Sequence, residues 1–537
     1  MLFTNNALIQ SSELLKTLNL FCAEKNLTLF CVGGFPRDVL LSGLKKNLAE
    51  IVLPEFALNA ELDFTVEANA LAVAQALCQW RTEFECVQTY PAFGTATLRF
   101  KHKLQFDLAS TRTERYAYPG ALPTVEQLGV PLAQDALRRD FTMNTLALRL
   151  PVAEALPEAR EAWVDPTGLG LNDLNARQLR VLHADSFVED PSRIVRGFGF
   201  CSRFAFKFEP QTWLWLKRCL STFPEPNAPY TGGGERMRVA LYKWLASDAA
   251  AHQTQKKLED WMLFLNTGGA VLLGGPDLKT FVPNSADNSI RAVFERLFFY
   301  HQQLVSGEIG APEANACEVS LPELCTPESD AATMELGDWV AQESNSQGGH
   351  FLDKNNLDKP SRAELRQTLF MACVLALGAC VTPEQQCALQ NGLALRRDER
   401  QQVNQLAGFN TPENRVALQQ ALAKKNAAAV CALLDAVRLP VALACFVHLP
   451  LFERFELKAD RPDEPDAAAQ ACWLTFLTYW RHWRRVASPL QPADLLALGV
   501  PQGPEIQRLQ TQLRLLHLEG KITDATAAKA WLQAQLR

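Results

Sequence analysis

The feature that most constrains this chain is a change of periodicity along it. Over residues 1–150, apolar runs of strand length alternate with helical stretches. Ser11–Lys25 reads as a helix and Thr28–Val32 as a strand, and after a Gly-Gly turn a second helix starts at about Pro36. Strand-like runs recur at Leu62–Val66, Thr95–Phe100 and Leu104–Leu108, with Thr142–Leu150 as a further candidate. From about Leu174 the helical period takes over and holds to the end, broken by turn-rich stretches at Phe223–Gly234 and Asn266–Asn288. This pattern predicts an α+β chain: a head with a mixed sheet and flanking helices over 1–150, then an all-α neck (151–250), body (251–465) and tail (466–537). Nine acids and no Lys or Arg lie between His301 and His350, so about 306–360 reads as a flexible acidic insertion in the body.

Several function classes lose their usual handles. No apolar run approaches the ~18 residues of a membrane helix. The start, MLFTNNALIQ, has no basic segment followed by an apolar block, so no secretory signal is expected. Fourteen cysteines without a CxxC pair read as reduced, mostly buried thiols of a cytoplasmic protein. Cys373, Cys380 and Cys387, spaced by seven, read as one face of a buried helix. There is no HExxH and no P-loop, the signatures of zinc hydrolysis and ATPase chemistry. A net charge of −6 argues against a nucleic-acid protein that works by bulk positive charge.

What chemistry the chain does suggest lies in short segments of the head and neck. In Cys31-Val32-Gly33-Gly34-Phe35-Pro36-Arg37-Asp38, two glycines stand between a strand and a helix. They let the backbone approach a bulky anion at a helix N-terminus, or simply make a tight connection. Glu61 and Asp63, two apart on a strand, point to one face, where a divalent metal would relieve their repulsion; a half-exposed strand gives the same alternation. Asp107, flanked by Phe106 and Leu108, reads as an inward, buried acid on another strand. Three acids on two adjacent strands would suit two Mg²⁺ ions. Arg138 and Arg139 suit bidentate phosphate binding, or are solvated at the surface. Asp190 and Arg193, three apart at a helix start, could read a nucleobase edge or pair with each other.

The order of these elements is more informative than any one of them. Gly33-Gly34-x-x-Arg37-Asp38, Glu61-x-Asp63, Asp107, Arg138-Arg139-Asp140-Phe141-Thr142-x-Asn144, Asp165-Pro166 and Glu189-Asp190-Pro191-x-Arg193 form a collinear set. The set resembles the class II tRNA nucleotidyltransferases (CCA-adding enzymes) and the related bacterial poly(A) polymerases, densely over about residues 28–245. Segments Arg112–Tyr116, Pro119–Pro123 and Leu179–His183 share the likeness, and Asp494–Glu505 resembles the tail of such enzymes. The resemblance implies a DNA polymerase beta-like nucleotidyltransferase head and template-independent addition of CMP and AMP to tRNA. An A-adding enzyme or poly(A) polymerase is the alternative, and an inactive RNA-binding paralogue a further one.

Carried over residue by residue, the resemblance implies metal binding by Glu61 and Asp63, and orientation of the primer hydroxyl by Asp107. It puts Gly33, Gly34, Arg37, Arg138 and Arg139 at the triphosphate, Asp140 at the ribose, and Asp190 and Arg193 at the base of ATP or CTP. Three departures stand out: Glu61 in place of Asp, Pro36 in place of a small apolar residue, and Gly197 and Gly199 in a helix where the family has Ala and Arg.

Charge distribution reconciles an acidic chain with RNA. Residues 1–250 carry a net −1 and 251–537 a net −5, whereas 177–243 carry +5. That neck, with Arg196, Arg203 and Arg236, reads as a phosphate track. Tyr479–Arg485, which interleaves Trp480, Arg481, Arg484 and Arg485, suits contact with a tRNA arm as well as a helix that buries its Trp face and exposes its Arg face. The expected partners are nucleoside triphosphates and a tRNA or other RNA 3′ end, with no membrane and no obligate protein partner evident.

Overall fold

The computed structural model describes residues 4–43, 62–151, 162–223, 234–245, 251–279, 281, 288–306, 362–379, 382–435, 437–449 and 467–535. Glu61, the acidic stretch 307–361 and the polar break before the tail lie outside them. The chain divides into two compact units, Met1–Arg291 with Cys380–Arg396, and Ala292–Ala379 with Arg397–Arg537.

The first unit begins with helix α1 (Thr4–Lys25), strand β1 (Leu29–Val32) and helix α2 (Gly34–Gly43). Then come β2 (Leu62–Val66), α3 (Ala70–Trp80), β3 (Phe84–Tyr90), β4 (Thr95–Phe100) and β5 (Leu104–Ser110). A separate hairpin, β6 (Arg112–Arg115) and β7 (Thr124–Leu128), leads through α4 (Leu132–Leu137) to β8 (Ala147–Leu150) and β9 (Trp163–Val164). The sheet runs β3-β4-β5-β2-β1-β8-β9, and the mixed sheet expected of the head is therefore present. Only β2 and β5 pair in parallel; the other neighbours are antiparallel.

Strand periodicity decides which face is covered. Leu62, Phe64 and Val66 of β2, Ala96, Leu98 and Phe100 of β4, and Phe106 and Leu108 of β5 all enter one core with Leu14, Leu18 and Phe21 of α1 and Val73 and Leu77 of α3. The intervening residues, Asp63, Thr97 and Asp107, fall on the opposite face. Asn69 holds the start of α3, its side-chain oxygen accepting from the backbone N–H groups of Leu71 (3.0 Å) and Ala72 (3.3 Å).

Two expectations change here. Only Ala147–Leu150 of the candidate Thr142–Leu150 is a strand, because Thr142–Asn144 closes a 3-10 turn first. The sequence reading passed over the β6–β7 hairpin and strand β3, whose apolar Cys86, Val87 and Tyr90 mark no buried face, since six of its seven residues are exposed at the sheet edge.

The neck is mainly helical and not all-α as expected: Trp163–Val164 joins the head sheet, and Gln178–Leu179 pairs in parallel with Lys207–Phe208. Its helices are α5 (Gly170–Ala176), α6 (Ser186–Glu189), α7 (Ser192–Phe204), α8 (Pro210–Thr222) and α9 (Gly234–Leu245), and α10 (Ala251–Asn266) follows at the start of the expected body. Its aromatic centre is Phe198 of α7, stacked on Trp244 at 5.6 Å and packed edge-on against Phe208 at 5.2 Å and Phe264 at 5.4 Å. The glycine departures belong to this packing. A Cβ at Gly197 would stand 2.7 Å from the Phe208 ring, and one at Gly199 would stand 3.2 Å from the Trp244 Cβ. Small residues bring the aromatic rings onto the helix backbone, so these glycines have a packing role in the fold.

In the second unit, every residue of the helix Leu439–Val447 is buried, and Tyr300, Phe446, Trp473 and Phe476 form its aromatic core. A smaller cluster, Leu490, Leu495, Val500, Leu509, Leu513, Ile522 and Leu532, holds the tail helices together. The described cysteines are all free thiols. Cys373 is buried in Arg362–Ala379, whereas Cys387 is exposed on the separate helix Pro383–Gly392, so the seven-residue spacing does not mark one helix face. Among the described residues no single helix is long and apolar enough to cross a membrane.

Candidate active site

The site starts where β1 ends. Gly33 has φ +80°, in the left-handed region, and a Cβ there would lie 3.1 Å from Asp63 Oδ2. Both facts call for glycine: the turn into α2 needs the positive φ, and the carboxylate occupies the space a side chain would take. Val32 is the register partner of Asp63, and Asp63 is the register partner of Asp107 across the parallel β2–β5 pair. The two carboxylates therefore sit side by side on the face away from the core.

Asp107 is exposed, not buried. Its apolar neighbours Phe106 and Leu108 point into the core, and a period of two sends Asp107 the other way. Its Oδ1 accepts a 2.6 Å hydrogen bond from the Thr97 hydroxyl. Thr97 was missed by the sequence reading, yet hairpin symmetry carried a signal, since Thr97 and Asp107 are equidistant from the β4–β5 turn and pair in register. Two carboxylates on one open face supply hard-oxygen donors of the kind Mg²⁺ takes, but among the described residues no group of three or more His, Cys, Asp or Glu could hold a metal ion.

The basic residues behave differently. Arg138 and Arg139 converge on Asp135, which is fully buried: Arg138 Nη2 lies 2.8 Å from Oδ1 and Arg139 Nη2 lies 3.0 Å from Oδ2. The Arg112 backbone N–H adds a 3.0 Å bond to the same carboxylate, and Glu114 lies 3.4 Å from Arg138. Burial alone would raise the Asp135 carboxyl, but the two guanidiniums and the Arg112 N–H outweigh it and hold its pKa below the ordinary value. Asp135 is thus an anchor that the sequence reading did not single out.

Asp140 is also buried, and its Oδ1 accepts from the Phe141 backbone N–H and the Asn144 side-chain amide, each at 2.9 Å. Its Oδ2 pairs with Arg196. Burial raises this carboxyl too, and the Arg196 charge with the two hydrogen bonds overcomes it, leaving the pKa lowered.

At the start of α7, Asp190 and Arg193 do not pair through their side chains. Asp190 Oδ1 accepts from the Ser192 hydroxyl (2.6 Å) and backbone N–H (3.1 Å), and its Oδ2 meets Arg236 at 3.3 Å. Arg193 donates to the carbonyls of Arg138 (2.7 Å) and Ser186 (3.1 Å) and lies 3.7 Å from Glu189. Arg236 also donates to the carbonyls of Gly120 and Ala121, both at 3.0 Å, and Tyr116 lies 3.4 Å from Arg193, so the loop between β6 and β7 is tied to the same corner.

Arg37 is buried against Asp38, and Arg203 reaches the other oxygen of Asp38 at 3.3 Å. In the second unit, the stretch Tyr479–Arg485 is not one helix. The helix Ala467–Arg481 ends and a 3-10 turn, Trp483–Arg485, follows, with the Arg484 guanidinium 4.1 Å above the Trp480 ring and Arg485 exposed.

Residues 29–180 match the model of the Poly A polymerase head domain. The chain is 36% identical over 249 residues to an A-adding tRNA nucleotidyltransferase of Halalkalibacterium halodurans, a match covering 46% of this chain and 52% of that protein. A CC-adding tRNA nucleotidyltransferase of Deinococcus radiodurans is 36% identical over 180 residues, covering 34% of this chain and 42% of its own. The chain thus spans about half or less of the length of these relatives.

Among solved structures, an apo CCA-adding enzyme superposes with a TM-score of 0.61 at 20% identity, covering 97% of this chain and 95% of that one. The Thermotoga maritima CCA-adding enzyme complexed with tRNA gives 0.57 at 21%, covering 98% and 95%. At that identity the likeness is one of fold alone.

Proposed function

We propose that this chain transfers nucleoside monophosphates from CTP and ATP to the 3′ end of tRNA and releases pyrophosphate, without a nucleic-acid template. The observation that carries this reading is the register of Asp63 opposite Asp107 beside the Gly33 turn. Naming of the relatives as tRNA nucleotidyltransferases supports it.

In this reading the RNA 3′-hydroxyl attacks the α-phosphate. Asp107, steadied by Thr97, orients that hydroxyl and accepts its hydrogen bond. Gly33 and Gly34 let the turn approach the triphosphate, and the first N–H groups of α2 face it. Arg138 and Arg139 lend positive potential nearby while held on Asp135, and Asp140 lies toward the ribose. Asp190 and Arg193, held by Ser192, Arg236 and the Arg138 carbonyl, are the acceptor and donor assigned to the base edge in this reading, each exchanging a protein contact for the base. Asp63, Asp107 and Glu61 would hold Mg²⁺, which when bound neutralises phosphate charge and acidifies a hydroxyl. Arg196 and Arg203 of the neck, and Trp480, Arg484 and Arg485 of the tail, are candidate RNA contacts. The setting we infer is the cytoplasm, in keeping with the free thiols.

A second reading, AMP addition only, is favoured by A-adding relatives such as the Halalkalibacterium protein. The test is to incubate the protein with Mg²⁺ and tRNA ending before CCA, or ending in CC, and to offer CTP and ATP separately. CMP incorporation supports CCA addition. AMP incorporation on the CC-ending tRNA without any CMP transfer leaves the A-only reading, and no incorporation from either nucleotide sinks both.

A further inference from the structure

We infer that Arg37 is a positioning residue that ties the glycine turn to the base-reading helix and so governs nucleobase choice, instead of binding phosphate. The inference rests on the nucleotidyltransferase reading and goes beyond it by assigning the link between two subsites. Arg37 lies three residues after Gly34 in sequence, where a triphosphate ligand would be sought, but its side chain turns inward and is only 4% exposed. Its Nε donates to Asp38 Oδ1 at 2.8 Å and its Nη1 to Asn144 Oδ1 at 2.6 Å, while Nη2 lies 2.7 Å from Asp38. A Cβ at Gly34 would stand 3.3 Å from Nη2, so the guanidinium backs directly onto the turn. Its plane lies over two rings of α7, Phe200 at 5.2 Å and Phe204 at 4.9 Å.

Three links therefore run from this one corner of α2 to α7. The first is the stacking of Arg37 on Phe200 and Phe204, which are themselves stacked at 6.1 Å. The second is Asp38 to Arg203. The third passes from Arg37 through the Asn144 carbonyl, then from the Asn144 amide to Asp140, and on to Arg196. On α7, Phe200 follows Arg196 by four residues, and Arg203 and Phe204 follow Phe200 by three and four, along the face turned to the head. The helix that begins with Asp190, Ser192 and Arg193 is thereby set at a definite position relative to Gly33 and Gly34. A planar fork is required for this: it saturates a carboxylate and an amide while leaving a face for the rings, which an ammonium does not do. Its Nε, Nη1 and Nη2 are each engaged by Asp38 or Asn144, so the guanidinium is committed to protein groups and not held out to phosphate. What Arg37 does control is where the base edge meets Asp190 and Arg193 once the triphosphate is seated.

The experiment measures binding of ATP, CTP and inorganic tripolyphosphate, each with Mg²⁺, by titration calorimetry on the full chain and on two variants. Arg37→Gln should weaken ATP by about tenfold, the scale of coupling carried by a packed network, and move the ratio of ATP to CTP affinity toward one. Tripolyphosphate affinity should stay at the wild-type value. Phe204→Leu keeps the Arg37–Asp38 pair and removes part of the link to α7. It should shift the ratio in the same direction by less, and it keeps the test readable if Arg37→Gln does not fold. A fall in tripolyphosphate affinity parallel to that for ATP in Arg37→Gln would make Arg37 a phosphate ligand and overturn the inference. So would an unchanged ATP to CTP ratio in both variants. Wild-type protein that binds none of the three would instead overturn the nucleotidyltransferase reading, and the inference with it.

Discussion

The acids and the arginines proposed for the site are held in opposite ways. Asp107 is exposed on the open face of the sheet beside Asp63, with a hydroxyl as its bonded partner, whereas Arg37, Arg138, Arg139 and Arg193 are drawn into protein carboxylates and carbonyls. Like charges brought together on a sheet repel, and a divalent cation is one group that would relieve them. Guanidiniums taken wholly or partly out of water are paired within the fold, as these are. On the proposed reading the acids serve the chemistry and the arginines hold the site in shape.

That contrast can be broken by experiment. Asp63→Ala should abolish nucleotide addition, by at least ~10³-fold as expected for losing an electrostatic centre of the transition state, with little change in urea midpoint. Activity within tenfold of wild type would remove the acidic pair from the chemistry. Asp135→Asn should do the reverse at first sight, destabilising the fold by about 3–5 kcal/mol because two guanidiniums lose their buried partner. Urea denaturation reads this, and an unchanged midpoint would show that the arginines do not depend on it.

Gly197→Ala should cost about 1–3 kcal/mol through overpacking against Phe208, with Gly199→Ala costing less because its nearest contact is longer. A stabilised Gly197→Ala protein would remove the packing role assigned to this glycine.

Acid stability sharpens the contrast further. Asp140 has its folded pKa lowered from 3.8, so its contribution is present above that value and is lost as pH falls through the lower, folded value. The stability gap between wild type and Asp140→Asn should therefore be level above pH ~4 and close below it. A gap independent of pH down to 3 would contradict the ionised, paired Asp140.

The smallest effect is expected at Arg485→Ala, which should weaken tRNA binding slightly and reduce the salt slope by about one, as for a single phosphate contact. An unchanged slope would take Arg485 out of the RNA contacts.

Much of this was legible because it is local. The strand–Gly-Gly–helix turn, the i and i+2 acids, the β4 and β5 strands and the helical remainder all follow from periods of two and 3.6 and from the special backbone of glycine. Other features were not legible because they depend on partners distant in sequence. Phe106 and Leu108 around Asp107 suggested burial, but only the sheet's covered and open faces show which of the three faces solvent. The spacing of Asp190 and Arg193 suggested an ion pair, but Arg236 and the Arg138 carbonyl take their places. Gly197 looked like a weakness in a helix until Phe208 was seen against it.

By itself, then, the sequence determined the order of the modules, the glycine turn, and which residue types gather near it, because those are matters of local backbone preference and spacing. The tertiary structure alone decided the rest. Register set Asp63 beside Asp107, strand parity turned Asp107 to the open face, and long-range packing turned Arg37 from the glycine turn onto the rings of α7. A side chain's charge is written in the chain, but what it faces depends on which segments the fold brings against it.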